Sequence, residues 1–431
     1  MDDILAQARR LVDDVEIYSV KGKEFPVLFK ANSFYTAEKK DFEGIGIRVI
    51  NRGKLGFAHT TSKAACGAII EYAKNSAKFG ESAKFVFPAK IRRKPIQTFF
   101  ESTRNIETEE VKQKSVNIIN EILKKEPDAK VDVQFNRSEE TVRIMNTKGL
   151  DITYKKSSLS MFVQIFLIID GSFTWFYKIK TSPKKTFLTK TELRELLKNV
   201  KFARNVVPVR SGKMSVIIMP MVMSTLLRSL AMGVNGKQLQ KGSSPLKGKE
   251  NKKILGSNVT IYDDALLKDG FESRPFDGEG IASRRIPLFK NGVLENFLFD
   301  LQTAGILGKK STGSAVRGFS SMPSPGTSNI VVNPGNWSLS DMIKDVKNGI
   351  IVYSVLGAGQ SNLLAGDFSC NISLGFKIKN GRIEGRVKNT MIAGNVYDAM
   401  RNIEGIGKKV ENIESFYTSP FYFKSLNVVS K

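Results

Sequence analysis

Over the first two hundred residues the apolar positions recur in two rhythms. A spacing of three and four places Ile4, Leu5, Ala8, Leu11 and Val12 on one stripe and predicts a helix over 2–13. The same spacing predicts helices from about Lys63 to Phe79, Glu107 to Leu123 and Lys190 to Val200. Between them lie strand-like runs: Val15 to Val20, Phe25 to Ala31, Gly44 to Ile50, Leu55 to His59, Ala129 to Phe135, Thr141 to Asn146 and Ser157 to Ile169. Asn51-Arg52-Gly53-Lys54 signals a hairpin, because Gly supplies the positive φ of a tight turn. Meandering strands with helices in separate blocks predict an α+β fold rather than a doubly wound parallel sheet.

The pattern breaks around Arg204 to Lys213, where Pro208 and Ser211-Gly212 precede a new apolar strand, Met214 to Met219. This divides the chain into an N-terminal α+β domain, residues 1–205, with antiparallel strands and helices, and a β-rich C-terminal domain, residues 206–431. Beyond the break glycines are dense and strands short: Ile286 to Leu288, Val293 to Asp300, Ile330 to Val332, Ile350 to Leu356, Ile372 to Ile378 and Arg382 to Val387. Asn291-Gly292 and Asn380-Gly381 are the strongest hairpin signals. No repeat of fixed period and no low-complexity segment interrupts the chain.

Composition refines this picture. At 431 residues the chain exceeds one ordinary core, since domains usually run ~100–200 residues. Two scattered cysteines, Cys66 and Cys370, fit a reducing compartment. The charged, helical start is no secretory signal. The longest apolar runs, Met161 to Ile169 and Val216 to Met223, fall short of the ~20 residues that span a bilayer. The expectation is a cytoplasmic protein without a membrane partner. A net charge of +25, with clusters at Lys90 to Lys94 and Lys241 to Lys253, permits attraction to nucleic acid. No nucleic-acid-binding motif accompanies it, which favours a solvated lysine-rich surface.

Candidate chemistry is sparse. The single histidine, His59, rules out a two-histidine metal site within the chain and reads as a strand-end residue. No Gly-x-Ser-x-Gly elbow and no phosphate-binding loop is present. Gly44-Ile-Gly46 and Gly357-Ala-Gly359 read as turn glycines. Asp263-Asp264, Asp277-Gly278-Glu279 and Asp367 offer oxygen ligands without a hard-cation spacing, so turn or structural roles are expected.

An ordered run of segments resembles the TldD/PmbA family. It comprises Gly233-Val-Asn-Gly236, Pro275-Phe-Asp-Gly-Glu-Gly280, Arg284-Arg285, Asn291-Gly-Val-Leu294, Thr303-Ala304 and Ser311-Thr-Gly313 with Arg317. Asn329, Pro334-Gly335, Gly349, Gly357 with Gly359, Gly366-Asp-Phe368, Asn380-Gly381 and Ile392-Ala-Gly-Asn395 follow. Gly44-Ile-Gly-Ile-Arg48 and Gly53-Lys-Leu-Gly-Phe-Ala58 agree more loosely in the N-terminal half. The TldD kind of subunit carries His-Glu-x-x-x-His on a zinc-binding helix; here Leu227, Arg228 and Met232 occupy the motif's positions. The resemblance therefore implies the PmbA (TldE) kind, with no catalytic, cofactor or metal residue in this chain and zinc in a TldD-like partner. It further implies a heterodimer enclosing a chamber in which an unfolded peptide is cut. Phe276, Asp277, Glu279, Gly280, Arg284, Ser311, Thr312, Gly313, Gly359 and Asp367 would shape that chamber. Two alternatives stay open: a self-sufficient homodimeric peptidase with an unrecognised site, and a basic, DNA-associated regulator of the gyrase-modulator type.

Overall fold

The computed structural model describes residues 2–62, 68–89, 94–357 and 361–430. The chain is a mixed α+β protein, with several sheets and with helices set between the strands. A short helix, α1 (Asp2–Ala8), leads into the strands β1 (Asp14–Lys30), β2 (Ser33–Ala37), β3 (Lys40–Asn51) and β4 (Lys54–Thr60). Helices α2 (Ala68–Ala77), α3 (Glu101–Arg104) and α4 (Thr108–Leu123) follow. Three long strands, β5 (Lys130–Asn146), β6 (Asp151–Ile169) and β7 (Ser172–Ser182), complete one antiparallel sheet of order β4-β3-β1-β5-β6-β7, with β2 on β1. The helix α5 (Lys190–Ala203) starts from a capping box built by Thr189 and Glu192.

Two departures from the sequence reading concern strand length. The runs at 15–20 and 25–31 are one strand, β1, and those at 129–135 and 141–146 are one strand, β5. Polar residues such as Lys21, Lys23 and Glu24 interrupt the apolar pattern, yet β1 pairs with β5 without a break from Glu16 to Phe29. The strands β2 and β7 were not foreseen, although Phe34-Tyr35-Thr36 and Phe173 to Ile179 are rich in the aromatic and β-branched residues that favour strands. The Arg52-Gly53 hairpin forms as expected, both residues having positive φ. So do the turns at Asn291-Gly292 and Asn380-Gly381.

After α5 the chain enters β8 (Gly212–Ile218) and the helix α6 (Pro220–Gly233), which starts with proline in its first turn, where no amide donor is needed. The strand β8 lies between Asn348–Leu356, parallel to it, and Phe421–Ser430, antiparallel. Phe421–Ser430 pairs with Thr390–Asn395, that strand with Asp367–Lys379, and Asp367–Lys379 again with Asn348–Leu356. The pairing thus closes on itself. A second C-terminal sheet of six short strands centres on Ile261–Asp264. Val293 to Asp300, expected as one strand, forms a strand only over Val293–Leu294, and Leu298 makes an isolated parallel bridge to Asn235.

The largest core is C-terminal and includes Leu226, Leu227, Leu230, Ile350 and Phe421. A second core joins β5, β6, α4 and α5 to Ile217, Phe376 and Tyr422, so apolar packing runs across the Arg204 to Lys213 stretch. Cys370 is buried in the C-terminal core; Cys66 lies outside the described residues. No helix among the described residues is long and apolar enough to cross a membrane.

Candidate functional site

The helix α6 presents one solvent-facing stripe. Met221, Thr225, Arg228 and Met232 follow at helical spacing and are partly or fully exposed, while Leu226, Leu227 and Leu230 face the core. Arg228 donates from Nη2 to Glu414 Oε2 at 3.1 Å, and its guanidinium lies 4.9 Å from the Phe416 ring. Leu227 is 1% exposed and Met232 36%. This set does not fit a zinc site: a buried hydrocarbon, a fixed cation and an exposed thioether offer no imidazole, thiolate or carboxylate. Among the described residues no group of three or more His, Cys, Asp or Glu could hold a metal. His59 is exposed on β4, stacked 6.0 Å from Phe57 and tilted against Phe319 at 6.2 Å.

The glycines that flank α6 answer to packing. A Cβ on Gly233 would stand 2.2 Å from the Tyr397 hydroxyl, and one on Gly236 would stand 2.4 Å from the Phe299 ring. Between them Asn235 caps the next turn, accepting from the Lys237 N–H at 2.8 Å and donating to the Pro325 carbonyl at 2.7 Å. At the other end of α6 an apolar cleft of about 450 Å³ is walled by Tyr177, Phe202, Met219, Met221, Trp337 and Tyr353.

The segment Pro275 to Gly280 lies elsewhere, against the N-terminal sheet. Phe276 packs edge-on to Tyr154, with ring centroids 5.0 Å apart. Asp277 Oδ1 accepts from the N–H groups of Glu279 and Ile281, each at 2.9 Å, and Oδ2 accepts from Ala315 N–H at 3.0 Å. One carboxylate thereby closes its own turn and ties it to the chain leading to Arg317. Gly280 has φ +80°, and a Cβ there would meet Leu150 at 2.4 Å, so the position excludes side chains twice over.

That turn delivers Glu279 to a buried chain of four charges. Arg48 Nη1 donates to Glu279 Oε1 at 2.5 Å, and Arg48 Nη2 donates to Glu16 Oε2 at 3.0 Å. Arg317 Nη1 donates to the other Glu16 oxygen at 2.5 Å. All four side chains are at most 1% exposed. Glu16 and Arg48 stand opposite each other on β1 and β3, while Glu279 and Arg317 come from C-terminal loops. Burial raises the pKa of the Glu279 carboxyl, and Arg48 offsets only part of that rise. Burial likewise opposes the Arg48 charge, but Glu16 and Glu279 outweigh it and hold the guanidinium protonated. We take Glu279 as the carboxylate, because Oε2 also accepts from Leu301 N–H at 2.6 Å and neither oxygen is left to donate. Arg48 additionally lies 4.8 Å and 5.1 Å from the Phe85 and Phe87 rings.

Room for this junction comes from β3. A Cβ on Gly44 would strike the Phe319 ring at 2.4 Å, and one on Gly46 the Phe319 carbonyl at 2.3 Å. Gly44 and Gly46 are therefore strand glycines that admit the C-terminal loop, not turn glycines. Similarly, Asp277 and Glu279 do not stand in an open chamber wall. They are 2% and 0% exposed, because their oxygens are consumed by backbone N–H groups and by Arg48. Phe276 and Gly280 are buried with them.

Of the other expected chamber residues, Arg284 and the turn at 311–313 stand together. Arg284 is exposed and donates to the carbonyls of Thr312 at 3.0 Å and Ser311 at 3.3 Å. Thr312 is buried, its hydroxyl accepting from Phe299 N–H at 2.7 Å; Gly313 has φ +73°. Asp367 is exposed and accepts from Asn395 Nδ2 at 2.9 Å. Gly359 lies outside the described residues. Arg48, Glu16 and Arg317 had no assigned role from sequence. The available signal was a charge inside an apolar strand run, Ile47-Arg48-Val49 and Val15-Glu16-Ile17, where an ionised group needs a partner.

Known proteins share this architecture. The model of the PmbA/TldA metallopeptidase C-terminal domain matches residues 211–430, and that of the family's domain 1 matches residues 15–78. An uncharacterised protein of Methanocaldococcus jannaschii is 28% identical over 394 residues, 90% of each chain. A metalloprotease of Methanothermobacter thermautotrophicus is 25% identical over 94% of this chain and 90% of its own. Metalloprotease PmbA of Escherichia coli O157:H7 is 32% identical over 46% of this chain and 42% of its own. The crystal structure of TldE from Thermococcus kodakarensis superposes with a TM-score of 0.92 at 24% identity, covering 100% of both chains. Its likeness establishes the fold. With the C-terminal model spanning 220 of 431 residues, in the order the sequence motifs already follow, the chain belongs to the TldD/PmbA family of metallopeptidases.

Proposed function

We propose that this chain is the subunit of a TldD/PmbA-type peptidase that does not bind zinc, and that it shapes a substrate chamber for a TldD-like zinc subunit. The observation that carries this reading is the α6 surface. Where a TldD-like helix offers His, Glu and His, this helix turns Leu227 into the core and Arg228 onto Glu414. A positive charge there opposes a divalent cation and cannot serve as a general base. The metalloprotease relatives and the likeness to TldE support the family role.

An unfolded peptide suits the remaining features. Extended backbone is recognised by pairing with a strand edge, which gives affinity with little sequence preference. The apolar cleft beside α6, with aromatic walls, offers a seat for a side chain of such a peptide. The test is assembly. Purified chain mixed with a TldD-like subunit that retains His-Glu-x-x-x-His should elute as a stable heterodimer in size-exclusion chromatography at micromolar concentration. The zinc should stay stoichiometric with the partner alone. Separate elution, or one tightly held zinc per copy of this chain, would overturn the proposal.

A further inference from the structure

A second cavity, of about 350 Å³, lies where the C-terminal loops meet the face of the N-terminal sheet that carries Tyr18 and Tyr154. Its wall includes the exposed Gly318, which gives it an outlet. What distinguishes the cavity is unspent polar capacity. Arg274 Nε and Nη2 are buried and meet no hydrogen-bond partner among the described residues. Nε and Nη2 of Arg317 are in the same condition, and the Arg317 side chain is 0% exposed, its guanidinium 4.7 Å from the Tyr18 ring. Folded proteins rarely leave buried donors unmatched, so two guanidinium groups on one cavity call for an acceptor.

Carboxylates on the same wall argue against a simple anion. Glu140 stands opposite Lys156 in the β5–β6 register, but Lys156 Nζ is taken by Glu272 at 2.6 Å. Glu140 keeps only the longer-range pull of Lys156, which burial outweighs, so that its pKa is raised. Tyr18, pushed up to about 12, and Tyr154, also held well above the usual phenol range, are both shifted chiefly by burial. They keep their protons and remain donors. Asp277 lines the cavity too, though its oxygens already accept three N–H groups. The wall thus has an unpaired cation, an unpaired carboxylate and two phenols within a volume suited to one small molecule.

The geometry points to a binding site for a small zwitterion of the α-amino acid class, its carboxylate received by Arg274 and its ammonium by Glu140. A ligand bearing both charges matches each stranded group and adds no net charge to a junction that already balances several. A bare anion would meet Glu140, Glu272 and Asp277; a bare cation would meet Arg274 and Arg317. The inference stands apart from the subunit reading and survives its failure.

The test uses the full chain, titrated calorimetrically with a panel of the standard amino acids and with two fragments, propionate and ethylamine. At least one amino acid should bind, and each fragment should bind at least about tenfold more weakly, as expected for losing a charge-assisted contact. Glu140→Gln should weaken the amino acid about tenfold and remove its advantage over propionate. Arg274→Met should remove its advantage over ethylamine; should that variant not fold, Glu140→Gln decides alone. Heat on no ligand at millimolar concentration means the cavity holds water only and overturns the proposal. Equal binding of alanine and propionate, indifferent to Glu140→Gln, overturns it as well.

Discussion

Two arginines define opposite regimes in this molecule. Arg228 sits on the surface of α6, half exposed, in a 3.1 Å contact with an equally exposed Glu414. Arg48 sits at the junction of the N-terminal sheet and the C-terminal loops, 1% exposed and bonded to two buried glutamates. The first occupies a position that a family motif makes conspicuous, yet its pairing contributes little, since solvent screens it and side-chain entropy opposes it. The second ends a stretch that resembles the family only loosely and suggested no role for it, yet it bonds to glutamates from both halves of the chain. Conspicuousness in sequence and weight in the folded structure are separate quantities here.

The same substitution at both sites breaks or sharpens that contrast. Arg48→Met keeps an apolar stem against Phe85 and Phe87 but strands Glu279 and leaves Glu16 to Arg317 alone. It should cost about 3–5 kcal/mol in urea unfolding, the usual penalty for leaving a buried charge unpaired. Adding Glu279→Gln should recover part of that loss, because the stranded carboxylate is gone. A cost below ~1 kcal/mol for the single variant would mean that water reaches the network.

An intermediate effect comes from Asp263, whose carboxylate accepts from the Ser328 N–H at 2.6 Å and hydroxyl at 2.8 Å. Burial dominates and lifts its pKa to about 6, with the Ser328 bonds pulling the other way. A carboxylate raised in the folded state keeps its proton where the unfolded chain has already released it. Its contribution to stability therefore falls as pH climbs from about 4 to about 6 and levels off above. Asp263→Asn should remove that fall. Relative to wild type, the variant should gain on the order of 1–2 kcal/mol in unfolding free energy between pH 4.5 and pH 7. A constant difference across that range would assign Asp263 an ordinary pKa.

The smallest effect is expected at Arg228→Met, less than about 1 kcal/mol, measured in the same urea titrations. A cost comparable to Arg48→Met would erase the distinction between the two sites.

Much of the architecture was legible in the residues. The α4 and α5 stripes, the Asn-Gly turns and the shift to short strands after Arg204 follow from local periodicity and backbone preference. The long strands were less so, because β1 passes through Lys21, Lys23 and Glu24, residues whose composition argues for a loop while their pairing makes them strand. The charge network was hidden for another reason. Arg48 and Glu279 are 231 positions apart, and Glu16 and Arg317 are 301. No local rule connects them. The acidic loop 275–280 drew notice through its resemblance, but only the fold shows that Asp277 and Glu279 point inward rather than into open space.

The central claim is that this chain contributes to peptide hydrolysis only as one half of an assembly. The most direct measurement is cleavage of an unfolded peptide by this chain alone, by a TldD-like subunit alone and by the two together at equal concentration. No turnover is expected from this chain alone, and the pair should cleave at a rate well above that of either subunit. Cleavage by this chain alone, or a TldD-like subunit equally active without it, would contradict the account.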